Sequence, residues 1–233
     1  MFTEIENPQG NRAAEITQFT ITSNYKGVML AQPVKVLRIM PERVIFKAPE
    51  PTVCFTLKER VHLYSRVSWE TFDATLLAID MLRGEMELAN LTFTGGHWNE
   101  RQSDRVEPRD PIYVNLDINK SRFQADLENL SVGGMSLMIC NYKEKAIHID
   151  HDSAVRLTLQ LPGDDTGFEL RGKVVHSRQV GRLVIIGIQL IASRTQEKRI
   201  YGYVTARKAE IMAELEGSLQ EFFKQRWIAS YYY

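Results

Sequence analysis

Residues 100–106 read ERQSDRV and residues 128–135 read ENLSVGGM. The first segment spaces two arginines, Arg101 and Arg105, four positions apart. Arginine suits a planar, anionic ligand that carries guanine. Its guanidinium group can bond guanine O6 and N7 together, stack on a purine ring or hold a phosphate. Taken alone, such a pair is more often a pair of solvated surface charges.

The second segment places an amide and a hydroxyl before a glycine pair. Asn129 and Ser131 alternate, so on a strand both side chains point to one face. Their amide and hydroxyl groups can donate and accept hydrogen bonds. Gly133 and Gly134 permit a tight turn and a close approach of ligand to the backbone. The alternative reading is an ordinary hairpin turn, which uses the same residue types.

The order RxxxR followed by [D/N]xSxxG resembles the PilZ family of cyclic di-GMP receptors. The resemblance implies a six-stranded antiparallel barrel that binds cyclic di-GMP on its outer face and needs no other cofactor. The arginines would grip guanine and phosphate, and the second motif would frame the other guanine edge. The site residues that the resemblance implies are Arg101, Arg105, Asn129, Ser131, Gly133 and Gly134.

The sequence departs from the family pattern at two positions. Asn129 replaces the commoner aspartate, so a carboxylate that could pair with guanine donors or with the arginines is absent. Glu100 stands where many members carry a further arginine, which places a stacked ligand dimer in doubt more than binding itself. His176, on a late strand, is a further candidate contact with the ligand.

Composition narrows the classes of partner. The chain has 233 residues, a net charge of +0 and a pI of about 7.0, and it is 44% hydrophobic and 25% charged. A general binder of nucleic acid needs a basic surface, which this composition does not supply. No basic leader or apolar run of about 20 residues occurs, so we expect a cytoplasmic protein without a membrane segment. Two separated cysteines fit reduced thiols in that compartment.

Short strand-like runs separated by turn residues predict a mostly β fold. The alternation at 15–23 fits either a first strand or a short helix. The predicted strands after it lie within 34–37, 44–46, 53–57, 61–64, 75–79, 85–93, 112–116, 123–127, 135–139, 155–161, 168–177 and 183–191. A linker is predicted at 94–99. We therefore expect two tandem small antiparallel barrels, in domains 1–97 and 98–233, followed by a long C-terminal helix.

The two halves resemble repeats of one another. Residues 34–46 superpose on 124–137, and the hairpin at 71–93 superposes on that at 168–191. The superposition puts other residue types at the positions of the second motif, and no RxxxR precedes them. The first copy is accordingly a degenerate PilZ-like barrel, similar to the N-terminal barrel of flagellar-brake relatives. The positions that replace Asn129, Ser131 and Gly134 are Arg38, Met40 and Arg43.

A helical period begins near Gln196 and could extend to Trp227. Lys208 interrupts its apolar positions. Two interpretations remain for the later part of the helix, which either packs on its own chain or forms a homodimer or partner contact. The apolar positions are Ile200, Val204, Ile211, Leu215, Leu219, Phe222, Phe223 and Trp227.

Other chemistry has little support in the sequence. Residues 148–152 read HIDHD, but the remaining histidines lie elsewhere and zinc needs three or four convergent ligands. No set of nucleophile, base and orienting residue occurs, so we expect no enzyme activity. The resemblance implies a cyclic di-GMP receptor. Ligand would rearrange its domains and signal to a protein partner in motility, biofilm formation or a related output. The alternative is a ligand-free scaffold for protein interactions.

Overall fold

The structure is a computed structural model, which describes residues 18–48, 60–65, 68, 70–94, 103–140 and 149–229. Within these residues the chain forms twelve strands and one helix. The strands are β1 Gln18–Tyr25, β2 Val28–Met40, β3 Arg43–Lys47, β4 Arg60–Ser65, β5 Thr71–Asp80, β6 Glu85–Phe93, β7 Tyr113–Ile118, β8 Ser121–Ser131, β9 Gly134–Cys140, β10 Ala154–Leu159, β11 Phe168–Val180 and β12 Leu183–Ile191. The helix, α1, is Arg194–Ala229.

The strands close into two separate antiparallel barrels. The first runs in the order β1-β2-β3-β6-β5-β4, and β1 pairs with β4 to close it. The second runs β7-β8-β9-β12-β11-β10, and β10 pairs with β7. Closure leaves neither sheet with an unpaired edge. The prediction of a mostly β chain with two small barrels and a C-terminal helix is confirmed.

The chain divides into two compact units. One comprises 1–23 and 31–98, and the other comprises 24–30 and 99–233. The turn between β1 and β2 therefore belongs to the second unit. The predicted domain boundary at 97/98 and most of the predicted linker fall in 95–102, outside the described residues. The predicted strand at 53–57 also lies outside them.

Alternation along the strands fills each barrel. In β4 the residues Val61 and Leu63 are fully buried between exposed or half-buried neighbours, and Leu76 is fully buried between half-buried neighbours in β5. In β6, Leu88 is fully buried beside the buried Ala89. In the second barrel the pattern is clearest in β9 and β10, where every second side chain is buried. Each such side chain contributes about 1.5–3 kcal/mol of hydrophobic stabilisation when it leaves water.

The two barrels repeat one another residue by residue at the hairpin that carries the second motif. Met40 pairs with Arg43 at the end of β2–β3, as Ser131 pairs with Gly134 at the end of β8–β9. Both hairpins also have a register shift at the same place, between Val36 and Arg38 in the first and between 127 and 129 in the second. The predicted superposition is confirmed.

The bulge in β8 changes which face its residues occupy. Ala125 and Leu127 are buried, and the next buried apolar side chain is Leu130, three positions on instead of two. A β-bulge adds one residue to one strand and re-aims those that follow. It thereby sends Asn129 and Ser131 away from the barrel interior.

The two barrels differ in the burial of one equivalent side chain. Leu130 is fully buried, whereas its counterpart Ile39 is 69% exposed. Leu130 is covered by an isolated antiparallel bridge to Val106, from the segment that follows RxxxR. Within the described residues no such bridge covers Ile39. The loss of the arginine segment from the first copy thus has a structural counterpart in this exposed isoleucine.

Helix α1 packs on the second barrel through residues spaced three or four apart. Ile200, Val204, Ile211 and Leu215 are buried, as their period predicts. The side chain that interrupts the stripe on the packed face is Arg207, only 4% exposed, whereas the Lys208 side chain is 40% exposed. The prediction that Lys208 interrupts the stripe is therefore one residue off. The side chains of Leu219 and of 222–229 lie outside the described residues.

The two adjacent glycines of the β8–β9 turn should differ sharply in tolerance. A Cβ added at Gly134 would meet the backbone oxygen of Ile188 at 2.7 Å, while one added at Gly133 would have nothing within 4 Å. We expect Gly134→Ala to lose about 1–3 kcal/mol of unfolding free energy, because a neighbouring strand must move. Gly133→Ala should cost much less. Urea unfolding of both variants checks this, and equal losses would contradict it.

Candidate functional site

The structure describes five of the six predicted site residues, since Arg101 lies outside the described part of the chain. Arg105 is exposed and Asn129 is half-buried. Ser131 is 3% exposed. Gly133 lies exposed in the turn and Gly134 begins β9.

An isolated β-bridge joins the two motifs. The amide of Val106 donates to the carbonyl of Leu130 at 2.9 Å, and the amide of Leu130 donates back at 3.0 Å. Both side chains are fully buried. Neighbours along an extended chain point to the opposite face. Arg105 therefore lies on the outer side of the barrel, beside Ser131.

The second motif contributes two polar groups with different surroundings. The Ser131 hydroxyl donates to the carbonyl oxygen of Gly134 at 2.9 Å, which closes the turn. The amide oxygen of Asn129 is buried and accepts no hydrogen bond from the described residues. A buried acceptor without a donor costs about 1–3 kcal/mol. Such a group is a candidate for bonding an external donor.

A row of outward positions extends from Asn129 across the barrel. Asn129 pairs with Ser136, Ser136 with Gly187, and Gly187 with His176. His176 is exposed and stands at a register shift in β11. Three strand spacings of about 4.8 Å separate it from Asn129 by roughly 14 Å. His176 thus shares the row, at its far end.

The β1–β2 turn fixes the segment that carries Arg105. Gly27 has φ +84. It lies so close to residues 105–107 that a Cβ added to Gly27 would meet three backbone atoms of that segment at 3.1 Å. Beside it, the carbonyl of Lys26 accepts a hydrogen bond from the amide of Glu107 at 2.9 Å. Only glycine combines this backbone conformation with so close an approach.

Helix α1 holds the same segment from another side. The buried guanidinium of Arg207 donates through Nε to the carbonyl oxygen of Glu107 at 3.0 Å. Its Nη1 contacts Glu210 at 3.0 Å and Glu214 at 2.8 Å. Glu214 also forms an ion pair with Lys26. A buried charge is stable only when it is paired and hydrogen-bonded in this way.

The network and its surroundings shift the pKa values of two carboxyl groups, those of Glu214 and Glu107. Hydrogen bonds from Arg207 and then from Lys26 lower the pKa of Glu214 from 4.5 to about 2. Burial, followed by repulsion from Glu128, raises the pKa of Glu107, against the attraction of Lys26 and Arg207. Glu214 consequently remains a carboxylate that ties the helix to the β1–β2 turn at any pH above about 4.5.

A cleft of about 520 Å³ opens where the arginine segment, the motif turn and the helix meet. Its size is within the range of small-molecule sites. Arg105 and Val132 contribute to it from the two motifs. It is lined by Gly27, Met29, Ser103, Asp104, Arg105, Val132, Tyr201, Val204, Thr205 and Lys208.

Sequence reasoning missed three residues that hold the site together: Lys26, Gly27 and Arg207. Their signals were local and of low specificity. A Lys-Gly pair is common in turns, and an arginine followed by glutamates at i+3 and i+7 is common on solvated helix faces. Only the fold brings these positions to the RxxxR segment, because each is distant from it in sequence.

Metal and membrane sites gain no support from the described residues. No group of three or more His, Cys, Asp or Glu side chains among them could hold a metal ion. Asp150, His151 and Asp152 of the HIDHD run belong to the described part of the chain, and His148 lies outside it. No helix in this part of the chain has the length and apolar character needed to cross a bilayer.

The second barrel matches a known family. Residues 99–206 match the model described as PilZ domain. No curated protein matches the sequence significantly.

Solved structures resemble the chain at low identity. The inhibitor of motility MotI/DgrA from Bacillus subtilis is 10% identical, with TM-score 0.43, covering 83% of this chain and 97% of its own. YcgR from Escherichia coli, in complex with c-di-GMP, is 12% identical, with TM-score 0.46 and coverages of 87% and 88%. MrkH from K. pneumonia, also in complex with c-di-GMP, is 13% identical, with TM-score 0.45 and coverages of 85% and 90%.

The pKa of Glu214 predicts how its contribution to stability depends on pH. Because the folded pKa, about 2, lies below the ordinary 4.5, the contribution is fully present above 4.5 and is lost as pH falls toward 2. Urea unfolding of Glu214→Gln against wild type should show a difference that is constant at neutral pH and shrinks between pH 4.5 and 2.

Glu216, exposed on the same helix, provides the matched control. Glu216→Gln should leave stability close to that of wild type across the range. A deficit of Glu214→Gln that stays constant down to pH 3, or grows there, would contradict the ion-pair network.

Proposed function

We propose that the protein is a receptor for cyclic di-GMP, a function supported by the match of residues 99–206 to the PilZ domain model. Its site is the outer face where the arginine segment meets the turn after β8. The protein binds this ligand and transmits its presence without changing a bond in it. Cyclic di-GMP presents two guanines and two phosphates, which match the donors and acceptors gathered there.

One observation carries this proposal: the bridge between Val106 and Leu130. It brings Arg105 to the same outer face as Asn129 and Ser131, although more than twenty residues separate the motifs in sequence. Without that bridge the resemblance would concern two unrelated segments. With it, the cation of Arg105 lies on the same outer face as the amide and the hydroxyl, at the edge of a ligand-sized cleft that Arg105 lines.

Each group has a role that its chemistry supports. Arg105 grips guanine or phosphate through its fork of donors. The unpartnered amide oxygen of Asn129 accepts a hydrogen bond from a guanine N–H, a role that needs no carboxylate. Ser131 shapes the turn through Gly134 and keeps its lone pairs available. His176 reaches only a ligand that extends along the outer row from Asn129.

In this proposal Arg101, four positions before Arg105 in the sequence, completes the grip on the ligand. It belongs to the chain between the two barrels, together with Arg105. When Arg101 closes on a nucleotide that Arg105 already holds, the chain before Arg105 takes a new path, and the arrangement of the barrels changes with it. A protein partner then recognises the new arrangement. In this scheme domain 98–233 binds the ligand, and domain 1–97 carries no ligand motif.

Removal of Arg105 gives the first test. We expect Arg105→Ala to abolish saturable binding of cyclic di-GMP, measured by titration calorimetry, because a charge-assisted and bidentate partner is lost. Arg105→Lys, which keeps the charge but not the fork, should bind more weakly than wild type. Arg101→Ala should also lose binding.

Circular dichroism should show an unchanged fold in both Arg105 variants, because Arg105 is exposed. Retained affinity in Arg105→Ala would contradict the proposed site. A wild-type protein that gives no heat and no competition with labelled ligand would contradict the receptor itself. The ligand-free scaffold would then be the better account.

The proposed rearrangement has a separate measurement. Small-angle scattering of the full chain should change when cyclic di-GMP is added at saturation. The Arg105→Ala variant should give one profile with and without the nucleotide. An unchanged wild-type profile under conditions where calorimetry detects binding would contradict the rearrangement and leave binding intact.

A further inference from the structure

The helix forms one wall of the cleft that contains Arg105. Tyr201, Thr205 and Lys208 follow at i, i+4 and i+7, so they lie along one face of α1. Tyr201 is 62% exposed, although the adjacent Ile200 is fully buried in the core. An aromatic ring thus stands in solvent at the rim of a ligand-sized cleft, across from the two motifs.

The chemistry of this wall suits half of a nucleotide. A tyrosine ring can stack on a purine, a contact that is favourable for any base with a π face. A lysine ammonium beside it can hold a phosphate. On the basis of the proposed function, we propose that α1 supplies a second half of the cyclic di-GMP site, in which Tyr201 stacks on a guanine and Lys208 binds a phosphate.

Lys208 has a partner that a phosphate can displace. Its ammonium contacts the carboxylate of Asp104 at 2.7 Å, and the two side chains are 40% and 47% exposed. Solvated pairs of this kind contribute about 0–1 kcal/mol, so exchange of the carboxylate for a phosphate costs little. Asp104 directly precedes Arg105 in the chain. It therefore competes with the ligand for Lys208 at the edge of the site.

The helical wall is held at a fixed position relative to the arginine segment. Arg207, next to Lys208, donates a hydrogen bond to the backbone of Glu107. Glu214 forms an ion pair with Lys26 of the β1–β2 turn. Because both walls are tied together before ligand arrives, the cleft does not have to be ordered on binding. Such preorganisation lowers the entropic cost of association.

The stacking role is tested on the full chain by calorimetry with cyclic di-GMP. We expect Tyr201→Ala to weaken affinity roughly 5- to 150-fold, the range for loss of a base–aromatic stack. Tyr201→Phe should stay within about threefold of wild type, since the ring remains. Tyr113, 60% exposed on β7 and not in the cleft, is the matched control, and Tyr113→Ala should bind as wild type.

The proposed replacement of Asp104 by a phosphate as the partner of Lys208 is tested by two variants, which should change the affinity in opposite directions. Lys208→Gln should weaken binding roughly two- to fivefold, because the phosphate loses a cation. Asp104→Asn should strengthen it by a similar factor, because the competing carboxylate is gone. If the pair merely supported the fold, both variants would change affinity in the same direction.

The outcomes separate this inference from the proposed function. Wild-type affinity in Tyr201→Ala, with binding lost in Arg105→Ala, would overturn the helical wall and keep the receptor. Weakening by both Lys208→Gln and Asp104→Asn would overturn the exchange. Absence of binding in the wild-type protein would overturn the receptor and the helical wall together.

Discussion

The paired hydrogen bonds between Val106 and Leu130 are the constraint on which the site depends. They cover a core leucine, and by the same geometry they hold Arg105 outside the barrel next to the motif turn. The same pair of hydrogen bonds therefore buries the side chains of Val106 and Leu130 and places Arg105 on the outer face. In the first barrel the corresponding isoleucine, Ile39, is left exposed at 69%. Packing of the core and presence of the ligand motif differ together between the two copies.

The arginine segment is held from three directions. The bridge fixes the segment to β8. In the β1–β2 turn, Gly27 contacts its backbone and Lys26 accepts a hydrogen bond from it. Arg207 of the helix donates a hydrogen bond to it. A buried guanidinium with two carboxylate partners is costly to disturb, since removal of one partner leaves an uncompensated charge. The network therefore joins the helix to the arginine segment and to the β1–β2 turn, in addition to its packing on the barrel.

Most of the fold could be predicted from the sequence, because alternation and turn residues are local signals. The equivalence of Met40 and Arg43 to Ser131 and Gly134 was predicted by comparing the two halves, and the strand pairings agree with it. The bulge at 127–129 could not be predicted, because it depends on which residues the closed barrel admits. Nor could the role of Arg207: its burial results from the turn and the segment that meet over it, both far away in sequence. The sequence predicted which residues form the candidate site, and the fold shows which residues hold that segment in place.

The most direct test of the central claim is an NMR titration of the full chain with cyclic di-GMP, with the first barrel as an internal control. The account predicts shifts of backbone amides at 103–107 and 129–134, on both sides of the bridge. It predicts no shifts at 38–43, where the first barrel carries Arg38, Met40 and Arg43 at the equivalent positions. Shifts confined to 38–43, or none at a saturating concentration, would contradict it.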